Sequence, residues 1–419
     1  RAIAAPLNPA YKDEEFRLYM EDTKTRAVIL PPGEHPARDA AAALNGPVWE
    51  VCLDTNGKVQ SERPAAPSAS VSDDAPRPDD VALFLHTSGT TSRPKGVPLT
   101  HGNLTTSLRN IVNTYKLTPE DTGLIVMPLF HVHGLMGATL STLSSGGTIV
   151  VPSRFSASSF WPHILAHSVN WYSAVPAIHQ ILLTRGDNDQ APFRFIRSCS
   201  AALAPAVLSQ LETRFDAPVL EAYAMTEASH QMSSNLLPPH KRVSGSVGAG
   251  TGVRISIMDE RGTKLAVGEL GEVVIQGPNV MNGYKNNPEA NKDSFTNGWF
   301  RTGDQGFLGD DGYLTLTGRL KELINRGGEK ISPVEVEEAL LKHPAVSEAV
   351  CFGLPDEKYG ETVNIVAVLN HDCTEDTLKA FCAQHLAPFK IPRRILLTDT
   401  LPKTATGKIQ RRQIAAKFR

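Results

Sequence analysis

Cysteine is scarce: five in 419 residues, Cys52, Cys199, Cys351, Cys373 and Cys382, with no CxxC pair among them. An odd, scattered set excludes a disulfide scaffold and a zinc cluster and fits a reducing compartment. No apolar run reaches the ~18 residues that a membrane-spanning helix needs, and no leader peptide is visible. Charge of one sign is lacking too. Lys and Arg total 42 against 44 Asp and Glu, a net charge of −2. That balance argues against DNA as a partner and leaves any basic patch local. There is no initiator Met, and Arg1-Ala2-Ile3-Ala4-Ala5-Pro6 reads like the middle of a fold, so a preceding segment is expected. Lys417-Phe418-Arg419 carries no peroxisomal tripeptide; cytoplasm and peroxisome both remain open. Nothing in the sequence signals an oligomer, and a monomer is expected.

What is present is ordinary globular composition, 41% hydrophobic and 21% charged. At ~150 residues per domain the length implies about two or three domains. Apolar runs with strand texture (Val81–His86, Leu124–Met127, Thr148–Val151, Asn170–Val175) alternate with helical spacing in His101–Tyr115, Ala177–Thr184 and Ala204–Phe215. Such alternation predicts layered α/β sheets with parallel strands. Pro64–Pro78 reads as a surface loop. From about Val253 the texture turns to β, with strands expected at Arg254–Asp259, Gly271–Gly277 and Gly312–Gly318. A helix should start at Ser332-Pro333-Val334-Glu335, with Ser332 capping, Pro333 first in the helix and Glu335 closing a capping box. A domain boundary is placed near Arg319–Lys321.

The densest chemistry lies in Thr87-Ser88-Gly89-Thr90-Thr91-Ser92-Arg93-Pro94-Lys95-Gly96, directly after an apolar strand. Backbone N–H groups, hydroxyls and two cations in ten residues suit phosphate oxygens. Pro94 stands where a P-loop needs glycine, so this is not a P-loop. Five further motifs follow in order: Pro128-Leu129-Phe130-His131, Ala222-Tyr223-Ala224-Met225-Thr226-Glu227, Trp299-Phe300-Arg301-Thr302-Gly303-Asp304, Gly318-Arg319-Leu320-Lys321-Glu322 and Pro402-Lys403-Thr404-Ala405-Thr406-Gly407-Lys408. Together they resemble the adenylate-forming superfamily of acyl-CoA synthetases, luciferases and peptide-synthetase adenylation domains, over essentially the whole chain.

The resemblance implies an N-terminal adenylation domain, 1–319, of layered α/β sheets plus a β-barrel-like subdomain, and a small mobile α+β C-terminal domain, 320–419, hinged near Lys321. It implies ATP, Mg2+ and CoA as the molecules handled. Nucleotide contacts would come from Thr87, Ser88, Gly89, Thr90, Thr91, Lys95, Ser200, Ala201, Glu221, Ala222, Tyr223 and Thr226. Asp304 and Arg319 would hold the ribose, and Glu227 the magnesium. Lys408 would reach the attacking carboxylate. Gly327 and Gly328 would line the path of the CoA arm, unless they are only a turn before the helix.

For the acid, the stretches Phe84–Leu99, Phe195–Ala201, Glu221–Ala228 and Glu322–Pro333 are similar to plant and fungal oxalate–CoA ligases. The residues add their own support. His131, His133, Ser200 and His230 are polar for an acyl pocket, since unpaired buried polar groups are costly. They make sense for an acid with a second charged end, such as oxalate. The bland alternative is that His133 packs structurally and His230 points to solvent. His163, His167, His179, His240, His343, His371 and His385 read as surface or packing residues. Arg411-Arg412 reads as a solvated face or a CoA phosphate contact. The rivals are a ligase for another small or medium-chain acid, a luciferase-like oxygenase, or a non-catalytic nucleotide- or RNA-binding protein.

Overall fold

A computed structural model describes residues 2–62, 74–87, 94–185, 193–404, 407 and 409–418. The chain divides into two compact units, Arg1–Asn103 with Met281–Asn287, and Leu104–Val280 with Pro288–Arg419.

In the first unit, strand Val28–Leu30 pairs in parallel with Val48–Leu53, which pairs antiparallel with Val59–Glu62. Helices Asp13–Thr23 and Pro36–Ala43 bury Phe16, Met20, Ala37 and Ala40 against Leu30. Pro36 suits a first helical turn, where no N–H is needed. Val81–Thr87 pairs antiparallel with Lys95–Thr100, and Thr87 lies opposite Lys95. The two flanks of the phosphate loop are therefore the stems of one hairpin.

The second unit is built on a seven-stranded sheet. Its order is Ala249–Gly250, His230–Ser234, Val219–Met225, Phe195–Cys199, Trp171–Ala174, Thr122–Leu124 and Thr148–Val150. The last five strands are mutually parallel; His230–Ser234 runs antiparallel to Val219–Met225, and Ala249–Gly250 antiparallel to His230–Ser234. Parallel strands need cover on both faces. Phe160, Trp161, Leu182, Leu211 and Phe215 cover one face. Ile111, Tyr115, Trp171 and Phe195 fill the other. Each large side chain buried this way contributes about 1.5–3 kcal/mol.

A five-stranded antiparallel sheet follows: Arg254–Met258, Gly271–Gln276, Trp299–Leu308, Leu314–Arg319 and the short Phe295–Thr296. The C-terminal module has its own sheet of Ile324–Arg326, Glu329–Ile331, Val346–Asp356, Gly360–Leu369 and Arg394–Leu397. Helices Pro333–Leu340 and Glu375–His385 pack on it through Val336, Leu340, Leu378 and Cys382. This is the expected fold class: a large α/β N-terminal part with a half-barrel subdomain, and a small C-terminal domain.

Three local expectations change. The strand expected over Leu124–Met127 ends at Leu124, with one further bond from Ile125 N to Val150 O at 2.9 Å before the chain leaves the sheet. Ser332 does cap its helix, its Oγ accepting from Glu335 N at 3.3 Å. Glu335 Oε1, however, binds Lys390 Nζ at 2.5 Å. Arg411 is not on a solvated face. It is inserted between Glu337 and Glu322, with Nε 3.1 Å from Glu322 Oε2 and Nη1 against Glu337 Oε1 and the Cys351 carbonyl.

Candidate active site

Strands Trp171–Ala174, Phe195–Cys199 and Val219–Met225 are parallel, so their carboxyl ends face the same edge of the sheet. Ligands of open α/β sheets bind outside that edge. Ser200 and Ala201 follow one of these strands, and Thr226 and Glu227 another. His131 and His133 come from the turn after Thr122–Leu124, and His230 opens the first antiparallel strand.

The loop from Thr226 to His230 is held firmly. Thr226–Ala228 forms a 3-10 turn closed by Ser229 N donating to Thr226 O at 3.0 Å. Ser107 Oγ donates to Ser229 O at 2.6 Å, and Asn279 Nδ2 donates to Ala228 O at 2.9 Å. Ser200, Ser229 and His230 all have positive φ, at 75°, 53° and 102°. Non-glycine residues held in that region cluster at functional sites.

His133 is fully buried, its Nδ1 3.0 Å from Ser200 Oγ and its Nε2 2.7 Å from Ser173 Oγ. His230 is buried rather than solvent-facing. Its ring stacks on His133 at 5.5 Å between centroids, and neither ring nitrogen has a hydrogen-bond partner among the described residues. Burial drives both imidazoles well below the usual histidine pKa, with the Arg197 cation next in effect, so both are neutral. His131 Nδ1 accepts from His133 N at 3.2 Å and caps the turn carrying His133. Of the other histidines, His179 is a packing residue, buried with Nδ1 3.1 Å from Tyr172 Oη.

Beside this cluster lie the residues expected to meet nucleotide. Tyr223 Oη donates to Asp304 Oδ2, and Asp304 Oδ1 pairs with Arg319 Nε at 2.9 Å. Asp304 and Arg319 are cross-strand partners. Asp304, first, holds the Arg319 pKa up, and Glu227 contributes, so the cation and the Thr-Glu turn share one field. Ala222 is buried in the sheet. Glu221 Oε1 accepts from Leu203 N at 3.0 Å, bracing the loop after Ser200 and Ala201, while Oε2 has no partner among the described residues.

Magnesium is commonly held by one or two carboxylates together with phosphate oxygens. Glu227, only 7% exposed on its pinned turn, is a donor of that kind. Among the described residues no cluster of three or more His, Cys, Asp or Glu could cage an ion. The donors fit an ion shared with a nucleotide.

The other expected residues are dispersed. Thr87 and Lys95 stand on the hairpin of the first unit, where Lys95 Nζ lies 4.6 Å from the centroid of Tyr284. Ser88, Gly89, Thr90, Thr91 and Lys408 lie outside the described residues. Gly407, next to Lys408, is close to Val175 just beyond the strand Trp171–Ala174: a Cβ on it would sit 3.0 Å from Val175 Cγ2. Lys321 is exposed on the 3-10 turn Leu320–Glu322. Gly327 and Gly328 form the hairpin turn between Ile324–Arg326 and Glu329–Ile331, both with positive φ, as such turns require.

Residues 1–285 match the model of the AMP-binding enzyme family, and 335–408 that of the AMP-binding enzyme C-terminal domain. The chain belongs to the AMP-binding enzymes. It is 53% identical to an oxalate–CoA ligase of Arabidopsis thaliana, over all of this chain and 84% of that protein. An oxalate–CoA ligase of Saccharomyces cerevisiae is 48% identical, over 99% of this chain and 82% of that protein. Among solved structures, O-succinylbenzoate coenzyme A synthetase of Bacillus subtilis, in complex with ATP and magnesium, superposes with a TM-score of 0.83. It is 31% identical, over 97% of this chain and 82% of that one. This AMP-binding enzyme is thus an adenylate-forming acid–thiol ligase, with ATP, CoA and a carboxylic acid as its substrates. Among the described residues it has no helix long and apolar enough to cross a membrane.

Three residues of this AMP-binding enzyme escaped the sequence reading. Arg197 and Ser173 lie mid-strand under the histidine pair, fully or almost fully buried. Gly137 lies in a π-helical turn, Leu135–Leu140, and a Cβ there would be 2.3 Å from His230 Nε2. A charged residue inside an otherwise apolar strand was the one available signal, carried by Arg197 in Phe195–Cys199.

Proposed function

We propose that the enzyme is an oxalate–CoA ligase. ATP and oxalate would give oxalyl-adenylate and pyrophosphate; the CoA thiol would then displace AMP to give oxalyl-CoA. The observation that carries the reading is the cluster of buried His133 and His230 with half-buried Ser200, polar where an acyl chain would need apolar walls. The relatives support it: oxalate and O-succinylbenzoate each carry a second carboxylate.

In this reading the loop Thr87–Gly96, with Ser88, Gly89, Thr90, Thr91 and Lys95, grips the departing pyrophosphate. Thr226 hydrogen-bonds the α-phosphate, and Ala201 with Ala222 borders the nucleotide. Glu227 holds magnesium, which supplies charge neutralisation where two anions must meet. Asp304, beside Tyr223 and Arg319, accepts the ribose hydroxyls. His131, Ser200 and His230 receive the far carboxylate, with His133 acting through Ser200, and Lys408 the attacking one. After adenylation the module 320–419 turns about Lys321, bringing Gly327 and Gly328 to the CoA arm. The test is a panel of acids assayed for pyrophosphate release and CoA-ester formation. Oxalate should lead; turnover on hexanoate or a cinnamate with none on oxalate refutes the assignment.

A further inference from the structure

Arg197 is a fully buried guanidinium in the middle of the strand Phe195–Cys199. Nε donates to Tyr115 Oη at 2.7 Å, Nη1 to Ser173 Oγ at 3.0 Å and Nη2 to Gln231 Oε1 at 3.2 Å. All three acceptors are neutral. Among the described residues no carboxylate pairs with it. Neutral acceptors engage each of its three nitrogens but leave a net charge in the core, where an unpaired ion is strongly disfavoured. A core brace alone would not need that charge.

The hydrogen bonds point the charge toward the histidines. Ser173 Oγ accepts from Arg197, so its own proton goes to His133 Nε2, 2.7 Å away. Neutral His133 then carries its proton on Nδ1 and donates to Ser200 Oγ at 3.0 Å. Ser200 is left with a hydroxyl proton to give. The adjacent His230 brings two nitrogens with no hydrogen-bond partner among the described residues.

We propose that Arg197 is the charge-selecting residue of the acid site: its buried cation orients the Ser173–His133–Ser200 relay and favours acids that carry a second anionic group beside the reacting carboxylate. The proposal rests on the reading of this cluster as the acid site. Arg197 is a positioning residue, acting through the relay and through its field. At a separation of about 8 Å and an effective dielectric of about 20, one extra ligand charge is favoured roughly 30-fold.

The test compares oxalate with oxamate, its amide, which has the same shape and one charge fewer. KM or Ki for each is measured for the wild type, Arg197→Gln and Arg197→Lys, with the KM for ATP alongside. Arg197→Gln should weaken oxalate about 30-fold and leave oxamate and ATP within about threefold. Arg197→Lys should keep most of the preference for oxalate. A general packing defect would lower both acids together, and that result overturns the proposal. If Arg197→Gln does not fold, Arg197→Lys and Tyr115→Phe decide. Both retain the charge and should retain the preference; its loss in either overturns the proposal. The two readings fail separately. A wild type that ignores oxalate but prefers malonate to malonamate sinks the oxalate assignment and keeps Arg197. Oxalate turnover with equal losses on both acids in Arg197→Gln does the reverse.

Discussion

Replacing Glu221 by glutamine should make the protein more stable in alkali and change little in acid. Glu221 is 3% exposed, with Oε1 engaged by Leu203 N and Oε2 without a partner among the described residues. Burial pushes its pKa from 4.5 up to about 8; the Glu338 carboxylate adds to this, and the Leu203 N–H opposes it. Below pH ~4.5 folded and unfolded chains are both protonated, so the group contributes no pH dependence. Between pH 4.5 and 8 the unfolded chain has released a proton that the folded chain keeps, and stability falls as pH rises. Above pH 8 the loss is complete. At about 1.36 kcal/mol per pH unit the whole penalty is at most roughly 4–5 kcal/mol. Glutamine mimics the protonated acid, an amide replacing its hydroxyl, and has nothing to ionise. Glu221→Gln and wild type should therefore match near pH 4.5 and diverge in favour of the variant by several kcal/mol near pH 8.5. Urea unfolding followed by tryptophan fluorescence reads this out, since Trp161 and Trp171 pack in the cores on either face of the same sheet. Stability differences independent of pH, or a variant weaker than wild type at pH 8.5, would refute the reasoning.

Two further perturbations test the packing around the site. Gly137→Ala places a methyl 2.3 Å from His230 Nε2 and must push the ring aside; overpacking of this kind costs about 1–3 kcal/mol. KM for the acid should rise roughly tenfold with KM for ATP nearly unchanged, as steady-state kinetics with each substrate varied would show. Arg411→Met removes the cation between Glu337 and Glu322 and strands a buried carboxylate, with an expected loss of about 3–5 kcal/mol. Because burial already raises the Glu337 pKa, the loss should shrink as pH falls and the stranded carboxylate takes up a proton. Thermal melts across pH check this, and Arg411→Met with Glu337→Met should restore much of the stability.

The motifs were legible as ordered segments: Thr226 and Glu227 follow directly on the strand Val219–Met225, Arg319 ends the strand Leu314–Arg319, and Asp304 lies within Trp299–Leu308. Asp304 and Arg319 pair because two strands bring them opposite each other. The histidines were legible as a set but not in their state. Whether His230 faces solvent or core depends on a backbone with φ near 102°, held by Ser107 and Asn279, which are distant in sequence. No periodicity encodes that. Arg411 was misread for a related reason: a basic pair in a short terminal helix is usually solvated, and its partners lie 74 and 89 residues away. Arg197 is the instructive case. The alternation Phe195, Arg197, Cys199 puts it on one face of its strand, and the aromatic neighbours Phe195 and Tyr115 show that face to be core. An arginine on such a face requires either an acid in the chain or an anion from outside. The strand pattern alone could pose that choice. Only the neutral partners Tyr115, Ser173 and Gln231, brought together from three other elements, turn it toward the anion.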